Sequence, residues 1–171
     1  AKMVNFGIAY GSGANTMSEN LGIPKHEAQR LLDEWYRPMP NVRKYFDDKI
    51  KTAFEQKIST TPFGRRRNFI LTSKNKFAVR NEAMNTTIQG TASDLTLFSL
   101  IEIQKELTER NLGSVVLTVH DSIIAEHDPK DADEVAEVMV RHMKEVPKKY
   151  LKTDVPFKAD IDVGELWGEL D

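Results

Sequence analysis

Cysteine is absent from this chain of 171 residues. Disulfides and thiolate metal sites are therefore excluded. No stretch is long and apolar enough to span a bilayer. No secretory signal stands at the start. Internal repeats and low-complexity linkers are missing too. Even net charge is nearly absent, at −2. Together these absences point to a soluble, intracellular chain. What is present can build a core: 40% of residues are hydrophobic and 29% charged. The length suits one compact domain or two small lobes.

The small net charge hides an asymmetry. Residues 1–80 carry 15 Lys/Arg and 7 Asp/Glu, whereas residues 81–171 carry 9 and 19. The halves therefore stand at +8 and −10. A basic half can hold phosphates, and an acidic half can hold divalent cations.

The opening ten residues are mostly helix-compatible, and Gly11-Ser12-Gly13 breaks them. Thr16-x-x-Glu19 has the form of a capping box and predicts a short helix ending near Gly22. Pro24 suits a first helical turn. Ala28, Leu31, Leu32 and Trp35 then follow amphipathic spacing. Pro38 and Pro40 end that helix, and Asn41 is the expected cap of the next. Ile58–Thr61, the turn at Pro62-Phe63-Gly64, Arg65-Arg66-Arg67 and Phe69–Leu71 predict a small hairpin with a basic rim. A long helix is expected over 78–110, divided by Gly90. Ser114 to Glu126 reads as two strands around a tight turn, with apolar flanks that predict a buried, rigid hairpin. Residues 130–150 predict an amphipathic helix, and Phe157 to Val163 alternates as a half-buried strand does. The expected fold is α+β: helices first, then an antiparallel sheet backed by helices. The charge switch and the polar stretch put a boundary near 75–80.

Three constellations carry chemistry. Lys2, Phe6 and Tyr10 stand four residues apart and share a helical face. A cation followed by two aromatics suits a nucleotide, although aromatics at that spacing also suit a core. Asn85 and Gln89 are amides one turn apart, followed by Gly90 and Asp94. Val119-His120-Asp121 sits at the hairpin turn. Asp favours turns for local reasons, and a carboxylate on a rigid hairpin can also bind a hard cation.

The order of these segments carries more than any one of them. Lys-x-x-x-Phe-x-x-x-Tyr-Gly is followed by Thr-x-Phe-Gly-Arg-Arg-Arg, then Asn-x-x-x-Gln-Gly-Thr-Ala-x-Asp, then Val-His-Asp. That succession resembles the family A DNA polymerases, the DNA polymerase I class, over nearly the whole chain. Val155-Pro156, Gly164 and Trp167 resemble that family's ending. The resemblance implies a helical fingers subdomain over 1–78 and the C-terminal part of a palm subdomain over 79–171, together an incomplete right-hand fold. It implies template-directed DNA synthesis by two-metal-ion nucleotidyl transfer. Lys2 would bind the dNTP phosphates, Phe6 would pack near sugar and base, and Tyr10 and Gly11 would lie by the templating base. Asn85 and Gln89 would touch the duplex, with Arg80 at a backbone phosphate and His120 near the primer end. Arg65–Arg67 would contact phosphates or stabilise the fingers. Asp121 would be one of two aspartates holding two Mg²⁺ ions.

Three departures qualify the resemblance. Ser122 stands where many members have Glu. Asn81 stands where Arg is common, with Arg80 one place earlier. The first metal-binding aspartate and an Arg before Lys2 are not in these residues. The expectation is therefore a chain inactive alone, partnered by an N-terminal polymerase fragment or subunit as well as by primer-template DNA and dNTP. A non-catalytic DNA-binding fragment is the alternative expectation. An unrelated α+β hydrolase using Asp121 would leave the other motifs unexplained. The implied setting is the cytoplasm of a bacterial or phage-infected cell, or another compartment containing DNA. A phage or other viral source would accommodate the departures.

Overall fold

The computed structural model describes Asn5, Gly7, Ile8 and residues 11–169. Two compact units divide the chain, Ala1–Thr91 and Ala92–Asp171. The division falls inside one long helix.

In the first unit, α1 spans Ala14–Leu21, α2 Lys25–Tyr36 and α3 Pro40–Gln56. Gly13 caps α1, so Thr16 lies inside the helix and the expected capping box does not form. Pro40 does not end a helix; it opens α3, with Met39 as the cap. Its missing N–H is one the first turn leaves unbonded anyway, which displaces Asn41 from the capping role. Ile8, Ala14, Met17, Ala28 and Leu32 form one buried cluster, flanked by Trp35 and Tyr36.

A short hairpin follows, β1 Ile58–Thr60 and β2 Arg66–Asn68, paired antiparallel with Ile58 opposite Asn68. Phe69 leaves the ladder and enters a second cluster with Ala53, Val79 and Ala83. The strand expected at Phe69–Leu71 is thus replaced by burial of one aromatic. Helix α4 runs unbroken over Lys76–Arg110, so Gly90 does not divide it.

In the second unit, β3 Ser114–Val119 and β4 Ser122–Glu126 form an antiparallel hairpin, and α5 spans Ala132–Leu151. The sheet is backed by helices. Ile103 and Leu107 of α4 meet Val135, Val138 and Met139 of α5, and Val115, Ile123 and Ala125 pack onto them. Phe98 and Tyr150 stack at 4.4 Å between ring centres. Helices with antiparallel hairpins make the chain α+β, as expected.

Two expectations fail here. The hairpin is not buried on both faces: Val116 is 54% exposed and Val119 36%. A register shift between Val115 and Leu117 places an extra residue in β3. A bulge of this kind reverses which side chains face the core beyond it. Phe157–Val163 forms no strand, because its alternating residues find no ladder partner among the described residues. Alternation gives the chain a face but not a neighbour.

Candidate functional site

The basic hairpin lies along one turn after another of α4. Ser59 Oγ donates to the Ala83 carbonyl at 3.2 Å. Arg67 Nη2 donates to Glu82 Oε2 at 2.8 Å, and its guanidinium lies 5.7 Å from the centre of the Phe69 ring. At the far end, a Cβ on Gly90 would stand 2.7 Å from Thr61 Cγ2. Glycine is present there for close approach rather than for a kink. Thr61 is itself pinned by the turn, accepting from the Arg65 N–H on Oγ1 at 3.2 Å.

Between hairpin and helix lies a cavity of about 280 Å³, lined by Arg65, Arg66, Arg67, Asn85, Thr86, Gln89 and Gly90. The structure thus joins two segments that the sequence keeps about twenty residues apart. One wall is formed by Arg65, Arg66 and Arg67 and the other by Asn85, Thr86, Gln89 and Gly90. Arg67 is partly neutralised by Glu82, at 50% and 43% side-chain exposure. The arrangement offers positive charge beside neutral groups that both donate and accept. It can hold an anionic backbone while reading polar edges next to it.

Asn81 and Asn85 lie one turn apart on α4, and the Oδ1 of each is buried without a hydrogen-bond partner among the described residues. Gly11 sits against Asn81: its Cβ would meet Asn81 Oδ1 at 2.7 Å, and its φ is +88°. Arg80 Nη1 donates to the Gly11 carbonyl at 3.2 Å. Burial pushes the Tyr36 hydroxyl above its usual range, and the positive charge of Arg80 opposes that rise. Lys2, Phe6 and Tyr10 lie outside the described residues.

In the other unit, His120 and Asp121 form the turn between β3 and β4, both exposed. His120 has φ +56°, a left-handed conformation that a tight hairpin turn demands. Ser122 pairs with Val119 at the strand ends. No group of three or more His, Asp or Glu is placed to hold a metal ion among the described residues. Asp121 is an exposed carboxylate at the tip of the hairpin.

Pattern reading passed over the cluster at Glu106. Arg141 Nη2 lies 2.6 Å from both carboxylate oxygens, His142 Nε2 2.8 Å from Oε2, and Arg110 Nη1 3.0 Å from Oε1. Arg110 also pairs with Glu134. The Arg141 hydrogen bonds, with those from His142 and Arg110, hold the Glu106 carboxyl at about 2 against the upward push of burial. Only the Glu106–Arg110 spacing was visible in sequence; Arg141 and His142 come from another helix. This cluster clamps α4 to α5.

The family model described as DNA polymerase family A matches residues 1–169. The chain is similar to DNA polymerase I of Bacillus subtilis (strain 168), 39% identical over 98% of this chain. It is similar to DNA polymerase I of Chloroflexus aurantiacus, 33% identical over 99% of this chain. It spans 19% and 18% of those two proteins, about a fifth of their length. Among solved structures it is similar to the POL domain of Pol1 from M. smegmatis in complex with DNA primer-template and dNTP. That match has a TM-score of 0.77 and 25% identity, covering 85% of this chain and 26% of that one. No helix among the described residues is long and apolar enough to cross a membrane.

Proposed function

This chain belongs to DNA polymerase family A, and from that premise we propose that it forms the nucleotide- and duplex-facing part of a DNA polymerase. The reaction is addition of deoxynucleotides to a primer 3′-hydroxyl, directed by template DNA. Residues 1–78 serve as fingers and 79–171 as distal palm. The observation that carries the reading is the cavity that sets Arg65–Arg67 against Asn85 and Gln89. Guanidinium groups supply sequence-independent hold on phosphates, and the amides touch the duplex beside them. The solved relative bound to primer-template and dNTP supports the same assignment.

Lys2 holds the dNTP phosphates, Phe6 packs near the sugar and base, and Tyr10 with Gly11 lies by the templating base. Asn85 and Gln89 contact the duplex, and His120 stands near the primer end. Lys2 adds positive charge where the leaving pyrophosphate develops its own. Mg²⁺ fits the exposed Asp121 carboxylate, because it commonly takes one or two carboxylates and completes its shell with phosphates and water. Asp121 would hold it, and the second carboxylate would come from an N-terminal polymerase segment. When bound, Mg²⁺ supplies Lewis-acid activation of the primer hydroxyl and neutralises charge on the departing group.

Asp121→Ala in a polymerase assembled around this chain tests the reading. Lost synthesis with unchanged primer-template affinity is the expected result. Undiminished synthesis would overturn the metal role. An assembly that binds DNA without synthesis in either form would favour a non-catalytic DNA-binding subunit.

A further inference from the structure

Gly11 closes the helical segment to which Asn5, Gly7 and Ile8 belong. The Gly11 N–H donates to the Ile8 carbonyl at 3.0 Å and the Ser12 N–H to the Gly7 carbonyl at 2.8 Å. With φ +88° at Gly11, this is the bond pair of a glycine-terminated helix end. Such an end leaves carbonyls without helical partners and carries partial negative charge. Arg80 meets the negative end from α4, at the first carbonyl beyond it. Its Nη1 donates to the Gly11 carbonyl at 3.2 Å. The same nitrogen lies 3.9 Å from where a Cβ on Gly13 would stand, so the guanidinium rests along the loop. Asn81 closes in on Gly11 from the next position of α4, its Oδ1 2.7 Å from where a Cβ would be. A side chain at position 11 would strike it.

We propose that Arg80 is a positioning residue: it fixes the Gly11 turn, where the segment holding Gly7 and Ile8 ends, against the helix that carries Asn85 and Gln89. The inference rests on the reading above, in which Lys2, Phe6 and Tyr10 bind the nucleotide. It gives Arg80 a task distinct from phosphate contact. A guanidinium has five N–H donors, and this one spends a donor on a backbone carbonyl inside the protein. Loosening it releases the nucleotide-binding segment while leaving the phosphate-facing cavity intact, because that cavity is lined without Arg80.

Arg80→Gln and Arg80→Lys separate these roles. Hydrogen exchange on the 171-residue chain reads the Gly11 and Ser12 amides directly. Arg80→Gln is expected to speed their exchange about tenfold, as loss of a charged hydrogen bond predicts, with the α4 amides unchanged. In primer extension by the assembled polymerase, KM for the dNTP rises about tenfold while primer-template Kd and its salt dependence hold. Arg80→Lys restores most of both effects. Unchanged exchange at Gly11 and Ser12 would overturn the proposal. So would an unmoved KM with the salt slope reduced by about 1, the mark of a phosphate contact alone. A parent assembly without primer extension would sink the functional reading and leave the exchange result to decide the tether.

Discussion

The hairpins β1–β2 and β3–β4 are both two-stranded and antiparallel. The first has an exposed second strand, Arg66–Asn68, with no apolar side chain in it. It is held to α4 by Ser59 on Ala83, Arg67 on Glu82, and Thr61 seated on Gly90. The second is rich in Val and Ile, yet only Val115, Ile123 and Ala125 meet the core. Apolar content alone therefore does not report how firmly a hairpin is held. A polar seam with one close contact can fix a hairpin, and an apolar ribbon can leave a face open. The polar seam encloses a cavity; the open ribbon presents a turn with Asp121 at its tip.

Truncating the support of the second hairpin should have the largest effect on stability. Leu107 is fully buried beneath it, and Leu107→Ala is expected to cost about 2–5 kcal/mol in urea unfolding. The Glu106 clamp beside it comes next. Its carboxyl is held at about 2 from an ordinary 4.5. A depressed carboxylate stabilises the fold above its unfolded value and stops doing so as pH falls through its folded one. The contribution is complete above about pH 4.5 and lost towards pH 2, roughly 2 kcal/mol after allowing for the half-exposed arginines. Glu106→Gln should flatten that part of the stability profile.

The first hairpin can be broken by a single methyl. Gly90→Ala gains helix propensity but strikes Thr61, and a net loss of about 1 kcal/mol is expected. In a Thr61→Ser background the clash is gone, so Gly90→Ala should become stabilising. The same sign in both backgrounds would show that the close contact does not hold the hairpin. Val116→Thr, on the open face of β3, should change stability by less than about 0.5 kcal/mol. A larger loss would mean that this face is covered.

Much of this was legible in the residues. Amphipathic spacing gives α2, α3 and α5, because a helix face is a local property. The turn residues give both hairpins. What spacing does not carry is the partner. Phe157–Val163 alternates but finds no ladder, and Phe69 looks like a strand residue but enters the core. The bulge at Val116 has no sequence mark among neighbouring valines. At the site, Asn85, Gln89 and Asp121 stand out by motif. The approach of Arg65–Arg67 to Asn85 depends on Gly90 meeting Thr61, a contact between distant segments. The resemblance puts Arg80 at a backbone phosphate, and nothing in the spacing marks its bond to the Gly11 carbonyl, 69 residues away.

Primer extension with Mg²⁺ tests the central claim most directly, comparing this chain alone with the chain mixed with an N-terminal polymerase fragment. Synthesis by the mixture, absent from the chain alone and abolished by Asp121→Ala, is the predicted result. Robust synthesis by the chain alone, or synthesis by the mixture that ignores Asp121→Ala, would contradict it.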